Sequence, residues 1–361
     1  MSDKQLIWQT YPARYRRKQV DAIREATTAG ESISLVGLSG AGKSNLLGFL
    51  EHRVSSPEHP YILVDCNRLL EATPGGLLRL ILRHVDRENA ALSRSDPMLL
   101  LEGIENKVGQ FLDNAERLTI MLDRFDLFAR PPQPGVANAL RVVRDRYKFR
   151  LTYVIATRRM LPADNELSEL FHANTIWLGP LTIEDARWSV ESYAGRQGTV
   201  WPYDVVDRLI SVSGAYPSFL RGACEAYRLG GTLADIQEHP AIRARLDEFW
   251  KDEPDELELE KAGLYENPLL SRSAPGPQVE DEELTAKERL LLDFFQANGG
   301  EVCSKDDLIR AVWPEDAIYE EGVRDSSLAQ LVRRLRLKIE PDPSDPTYIQ
   351  TVPGRGYIYE E

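Results

Sequence analysis

The segment Ile33-Ser34-Leu35-Val36-Gly37-Leu38-Ser39-Gly40-Ala41-Gly42-Lys43-Ser44-Asn45 decides how this chain is read. A short apolar strand pattern, Ile33–Val36, runs directly into a full GxxxxGK[ST] motif, and a helical pattern over Asn45–Arg53 follows it. The glycines at 37, 40 and 42 let backbone N–H groups turn inward around phosphate oxygens with no Cβ in the way. The helix that begins there directs its positive end at the same anion. In such a loop Lys43 reaches the β- and γ-phosphates and the Ser44 hydroxyl ligates Mg²⁺. Ser39, Ala41 and Asn45 complete the cradle. The strand-then-helix setting separates the motif from a chance Gly/Ser-rich turn and predicts binding of ATP or ADP.

Working outward, Tyr61–Asp65, Leu118–Asp123, Leu151–Thr157 and Thr175–Leu178 also read as buried strands, with helical patterns between several of them. That alternation predicts an α/β fold, a parallel sheet wrapped by helices, over residues 1–178. A P-loop needs a second acidic group for the metal from a neighbouring strand, and Leu118–Asp123 supplies it by ending in Asp123. The next residue, where many P-loop ATPases carry a water-polarising Glu, is Arg124. Hydrolysis is therefore expected to be slow, or to use Asp126, which can equally well cap the following turn. Arg158 and Arg159 follow the strand that ends at Thr157, at the sheet edge where open α/β sheets bind ligands. They read either as a γ-phosphate sensor or as a solvated pair. Gly214-Ala215-Tyr216-Pro217 is a rigid turn that starts the helix Ser218–Tyr227.

These motifs, together with Gly179-Pro180-Leu181, stand in the order found in STAND-type ATPases. Those are signal-transducing NTPases related to AAA+ and Orc/Cdc6 proteins, and the resemblance covers roughly residues 11 to 250. It implies that Arg158 reads the γ-phosphate, that Pro217 packs near the adenine, and that Tyr11 to Arg17 lie in the region lining the base. It also implies a helical lid over about 179–250, where Thr182-x-x-Asp185 looks like a capping box opening its first helix. The family's large C-terminal repeat sensor is missing from this pattern. A separate protein partner is then a candidate for the signal input.

With 361 residues, the chain can hold two or three domains. Cys66, Cys224 and Cys303 are widely spaced with no CxxC pair, which argues against a disulfide framework or a zinc site. No signal-peptide pattern and no membrane-length apolar run is visible, so a cytoplasmic, nucleoid-associated protein without a membrane partner is expected. The net charge of −13 looks wrong for a DNA binder until it is located. Residues 251–283 hold eleven Asp/Glu against three Lys/Arg, with Pro254, Pro268, Pro275 and Pro277, and read as an acidic linker. Part of Asp255–Leu264 has a helical pattern. Val323–Lys338, by contrast, holds five basic residues and one acidic. Fields near a surface follow local charge within about 10 Å, so an acidic protein can still present a basic face.

Residues 284–361 show three helical patterns and then a strand–turn–strand signal, an α+β arrangement. Thr285-x-x-Glu288 caps the first helix and Ser304-x-x-Asp307 the second. In the third, about Val323 to Ile339, Leu328, Leu331, Val332 and Leu335 share one face. The opposite face carries Arg324, Ser326, Ser327, Gln330, Arg333 and Arg334, with Arg336 or Lys338 at its margin. Arg and Gln suit bidentate contacts to base edges, and Ser and further Arg suit phosphates. Arg355 sits at the tip of a glycine turn that can act as a wing. A basic face alone is as often merely solvated. The last 75 or so residues, however, resemble the OmpR/PhoB-type winged-helix domain through Leu308-x-x-x-Val312-Trp313, Leu335-Arg336-x-Lys338 and Thr351-Val352-x-Gly354-x-Gly356-Tyr357. That resemblance implies a third helix in the major groove of double-stranded DNA, commonly as a dimer on direct repeats.

The expectation for the whole chain is a P-loop NTPase core with a helical lid, an acidic linker and a winged helix-turn-helix. Such a chain acts as a transcription regulator whose ATP or ADP state controls self-association and operator binding. The alternative is a DNA-dependent ATPase of replication, transposition or phage defence.

Overall fold

The computed structural model describes residues 7–69, 72–86, 96–129, 134–162, 166–171, 174–271, 284–313, 325–340, 343 and 346–359. The chain packs as two compact units, Met1–Ile210 with Ala215–Cys224, and Ser211–Gly214 with Glu225–Glu361. Among the described residues no helix is long and apolar enough to cross a membrane.

The first unit is built on five parallel strands: β1 (Ile33–Val36), β2 (Tyr61–Asp65), β3 (Leu118–Asp123), β4 (Leu151–Thr157) and β5 (Thr175–Trp177). Their spatial order is β2-β3-β4-β1-β5. The strands predicted from apolar runs therefore form, with ends shifted by no more than a residue. Every residue of β1, β3 and β4 is buried, while β5 is half-buried throughout, as an edge strand should be. Burying each Val, Leu or Ile contributes about 1.5–3 kcal/mol, so these three inner strands are the main stabilising block of the unit. Some of the polar residues inside them are paired locally. Thr119 and Thr152 share a hydroxyl contact of 2.8 Å, and His59 Nε2 meets Thr119 Oγ1 at 2.8 Å.

One expectation is corrected by the order. Asp123 does not come from a strand neighbouring β1, because β4 pairs with both β1 and β3 and lies between them. The helix Lys43–Phe49 nevertheless packs over β3, which returns Asp123 to the crevice at the strands' carboxyl ends. That helix is shorter than its sequence pattern, passing into a π-helical turn at Leu50–Val54. The segment after β5 is helical as expected, with Ile183–Gly195, Tyr203–Ser213, Pro217–Arg228 and Pro240–Trp250. Its opening capping box is only half made. Thr182 accepts from Asp185 N at 3.2 Å, but the Asp185 carboxylate is engaged elsewhere.

In the second unit the acidic stretch does contain a helix, Glu256–Lys261, closed by a complete capping box between Asp255 and Glu258. A further short helix, Pro268–Ser271, follows, and residues 272–283 lie outside the described residues. The winged helix comprises helices Ala286–Ala297, Lys305–Val312 and Asp325–Ile339 with β6 (Val302–Ser304), β7 (Ile349–Val352) and β8 (Gly356–Tyr359). The sheet is antiparallel in the order β6-β8-β7. Strand β6 was not visible as a strand in the sequence, since three residues are too few to show alternation. Its close pairing needs Gly356, where a Cβ would stand 2.0 Å from the Cys303 carbonyl oxygen. Leu291, Phe295, Leu308, Leu328, Leu331, Val332, Leu335 and Tyr357 form the core of this fold.

Candidate functional site

The loop after β1 has the shape its glycines predict. Gly40 (φ +81) and Gly42 (φ +89) are left-handed, and a Cβ on Gly40 would fall 2.2 Å from Ser218 Oγ. Gly37 N donates to Thr157 O at 3.1 Å, tying the loop to the end of β4. Lys43 Nζ donates to the carbonyls of Gly37 and Leu38, curling over the loop it is meant to serve. Ser44 and Asn45 are exposed at the start of the helix, and Ala41 is buried beneath the loop.

Across the crevice, Asp123 is 4% exposed and its Oδ1 accepts from Arg124 N at 2.9 Å. Arg124 holds a left-handed φ of 54°, which turns the chain away immediately after the strand. Asp65 is in register beside Asp123 on β2. Burial and these two carboxylates push the Cys66 thiol up to about 12, so Cys66 is an inert core residue. Asp126 Oδ1 accepts from Arg158 N at 2.7 Å, and the Arg158 side chain is exposed at the mouth of the crevice. The loops after β3 and β4 are thus fastened to each other.

The turn at Ala215–Pro217 docks on the P-loop from the other side. Tyr216 Oη donates to Ser39 O at 2.8 Å, Ser218 N to Gly40 O at 3.2 Å, and Pro217 lies 3.6 Å from where a Gly42 Cβ would be. The structure thus brings Gly37–Asn45 and Pro217 together around one loop, with Asp123, Asp126 and Arg158 at the adjoining strand ends.

Sequence reasoning missed Arg16 as an individual residue, because nothing in the spacing separates it from Arg14 and Arg17. It is 2% exposed, with a left-handed φ of 48°. Its Nη2 donates to Ala41 O at 2.9 Å, and its Nη1 to Gly179 O at 2.9 Å and Pro180 O at 3.2 Å. Its backbone N donates to Asp185 Oδ2 at 3.0 Å, which is why the Thr182 capping box is incomplete. One guanidinium therefore joins the N-terminal segment, the P-loop and the entry to the next helix. Nearby, Tyr11 packs on Trp188 at 4.4 Å and Tyr15 on Phe49 at 5.4 Å, forming an aromatic group. Arg16→Met should strand the buried Ala41 carbonyl and the half-buried carbonyls of Gly179 and Pro180, and lower the stability of the first unit by about 2 kcal/mol. A thermal melt checks this, and an unchanged midpoint would contradict it.

The residues present fit a polyphosphate. A cradle exists that a Cβ at Gly40 would close, and two shielded polar atoms beside the loop, Arg16 Nε and Ser218 Oγ, have no hydrogen-bond partner among the described residues.

In the winged helix the face expected to read DNA is only partly open. Arg355 is exposed at the tip of the β7–β8 turn, beside Gly354 with φ +71. Arg324 lies outside the described residues, and only the backbone of Ser326 is placed, inside the helix Asp325–Ile339. Ser327 is half-buried. Gln330, expected on the exposed face, is 4% exposed, and that expectation is corrected. Arg333, on the same outer side, stands with its Cζ 5.6 Å from the ring centroid of Tyr265. Arg334 stands 3.9 Å from the Glu288 carboxylate, and Lys338 Nζ reaches that carboxylate at 2.6 Å. Arg336 donates to Ile349 O and Thr351 Oγ1, both at 2.8 Å, so it fastens the hairpin to the helix.

Fold and crevice together define a P-loop α/β unit joined in one chain to a winged helix. Residues 280–359 match the family described as "Transcriptional regulatory protein, C terminal". Over 76 residues the chain is 43% identical to Protein PetR of Rhodobacter capsulatus, covering 21% of this chain and 32% of that one. Over 103 residues it is 31% identical to the probable transcriptional regulator ycf27 of Cyanidium caldarium, 28% of this chain and 37% of that one. The chain thus matches about a third of the length of these curated relatives. Among solved structures it is similar to the Walker-type ATPase PABY2304 of Pyrococcus abyssi, at 13% identity and a TM-score of 0.48, covering 95% of this chain and 92% of that one. It is also similar to the Aeropyrum pernix ORC1 protein in complex with DNA, at 14% identity and a TM-score of 0.43, covering 89% and 83%.

Proposed function

We propose that this chain is a nucleotide-switched DNA-binding regulator of the STAND type, in which ATP or ADP sets self-association and operator binding. One observation carries the reading: a glycine-cradled phosphate loop facing a buried Asp123 shares a polypeptide with a winged helix of the transcription-regulator type. Gly37–Asn45 would hold the polyphosphate, and Ser44 with Asp123 would hold Mg²⁺. The metal, when bound, neutralises phosphate charge. Arg158 would meet the γ-phosphate, and Pro217 would lie against the adenine on the lid side, residues 179–250. The nucleotide can shift the protein only by its difference in affinity for two states. The turn docked on Ser39 and Gly40 supports a place where that difference arises, because it rests directly on the loop that changes its contents.

Ser327, Arg333, Arg334 and Arg355 would contact double-stranded DNA, together with Arg324, Ser326 and, once uncovered, Gln330. A homo-oligomer on repeated sites in the cytoplasm follows from the same reading, as does a protein partner that delivers the signal. Genome-wide DNA capture with the purified chain tests it, run with ATP, with ADP and without nucleotide. Short repeated sites whose occupancy depends on the nucleotide are expected. Identical maps in all three conditions would refute the switch and leave a constitutive DNA binder. DNA-stimulated ATP turnover with multimers spread along the duplex would replace the regulator by a motor or loading ATPase.

A further inference from the structure

The helix Asp325–Ile339 buries Leu328, Leu331, Val332 and Leu335 in the winged-helix core. At about 100° per residue, Gln330, Arg333 and Leu337 point to the opposite side, where a DNA-reading helix should be open to water. They are not open. Gln330 is 4% exposed and Leu337 6%, and neither belongs to the core cluster. Gln330 Nε2 and Arg333 Nη1 are both shielded from solvent without a hydrogen-bond partner among the described residues. An amide and a guanidinium shielded in this way, on the outer side of a helix, are held under a cover that does not satisfy them.

The acidic stretch before the winged helix reaches that side of the helix through Tyr265. The Tyr265 ring lies under the Arg333 guanidinium at 5.6 Å, a cation–π contact. Burial lowers the Arg336 guanidinium, while Tyr357, Glu340 and Glu256 oppose that shift, so the field of Glu256 reaches the same helix. Residues 251–266 carry seven carboxylates against two lysines. Glu256 and Glu260 are exposed on the capped helix Glu256–Lys261. A rigid row of carboxylates beside a helix with Arg333, Arg334, Arg336 and Lys338 offers the charge pattern of a phosphate backbone.

We propose that the segment Asp255–Glu266 is an internal DNA mimic that covers the reading face of the winged helix and must be displaced before duplex DNA binds. This rests on the DNA-binding reading above and adds its regulation. Apparent affinity falls by the fraction of molecules in the open form, so weakening the cover raises affinity without touching a DNA contact. The covered side chains are those suited to base edges, so the mimic suppresses specific reading more than wing contacts through Arg355.

The test uses the full chain, comparing wild type with Tyr265→Ala and with a Glu256→Gln/Glu260→Gln double variant. All three positions are exposed, so the fold tolerates the changes. Binding is read with a pool of random-sequence duplexes. Independently, Gln330→Cys is introduced into each background and the rate of thiol alkylation is measured. Cys66, Cys224 and Cys303 are buried and give a low background. Both variants should bind duplex about tenfold more tightly than wild type, and alkylation at 330 should accelerate with them. Equal affinity and equal alkylation across the three proteins would overturn the cover while leaving DNA binding in place. Faster alkylation with no duplex binding by any of them would instead overturn the DNA-binding reading on which the proposal rests.

Discussion

Lys43→Ala should lower affinity for ATP and ADP by a factor of about 100–1000, equivalent to about 3–4 kcal/mol, the loss typical of removing one partner of a desolvated charge pair. The change should act first on the loop itself, because Lys43 Nζ donates to the loop carbonyls of Gly37 and Leu38. The thermal midpoint without nucleotide should stay near wild type, while the stabilisation that ATP confers on wild type should vanish. Titration calorimetry with ATP and ADP reads the first effect and a melt with and without nucleotide the second. DNA binding by the winged helix should survive the substitution. Retained nucleotide affinity would refute the assignment of the P-loop.

Glu340→Ala should strongly destabilise the winged helix. Glu340 is 6% exposed and closes the end of the helix Asp325–Ile339 onto the hairpin. Its carboxylate accepts from Thr347 N at 2.8 Å, Tyr348 N at 2.9 Å, Ile349 N at 2.6 Å and Thr347 Oγ1 at 3.2 Å. Alanine leaves three backbone donors without their acceptor, each costing about 1–3 kcal/mol when buried, and a total of about 3–5 kcal/mol is expected. For a domain of this size each kcal/mol lowers Tm by about 4–8 °C, so the winged-helix transition should fall by more than about 12 °C. Glu340→Gln keeps one acceptor oxygen and should lose roughly half as much. Circular dichroism melts distinguish the two, and a Glu340→Ala chain melting like wild type would show that the hairpin is held by its apolar core alone.

How much of this was legible in the sequence depends on the range of the forces involved. The strands announced themselves because an inner parallel strand is buried on both faces, as β1, β3 and β4 are. The P-loop was legible because its glycines and Lys43 are adjacent in sequence. The strand order was not, since pairing of β4 between β1 and β3 is set by long-range packing. Arg16 was hidden for the same reason, because its partners at Ala41, Gly179, Pro180 and Asp185 are scattered through the chain. Gln330 failed differently. Helical periodicity placed it correctly on the outer face, but periodicity does not report whether that face is buried. The ion pairs of Glu288 with Lys338 and Arg334 were equally invisible, since a capping glutamate looks committed to its own helix end.

The bond from the Arg158 amide to the Asp126 carboxylate has a mechanical meaning. It ties the two turns that leave β3 and β4, so a displacement of one turn would be felt by the other. A ligand that draws Arg158 inward would drag Asp126 with it, and the pair would behave as one lever with its fulcrum in the sheet.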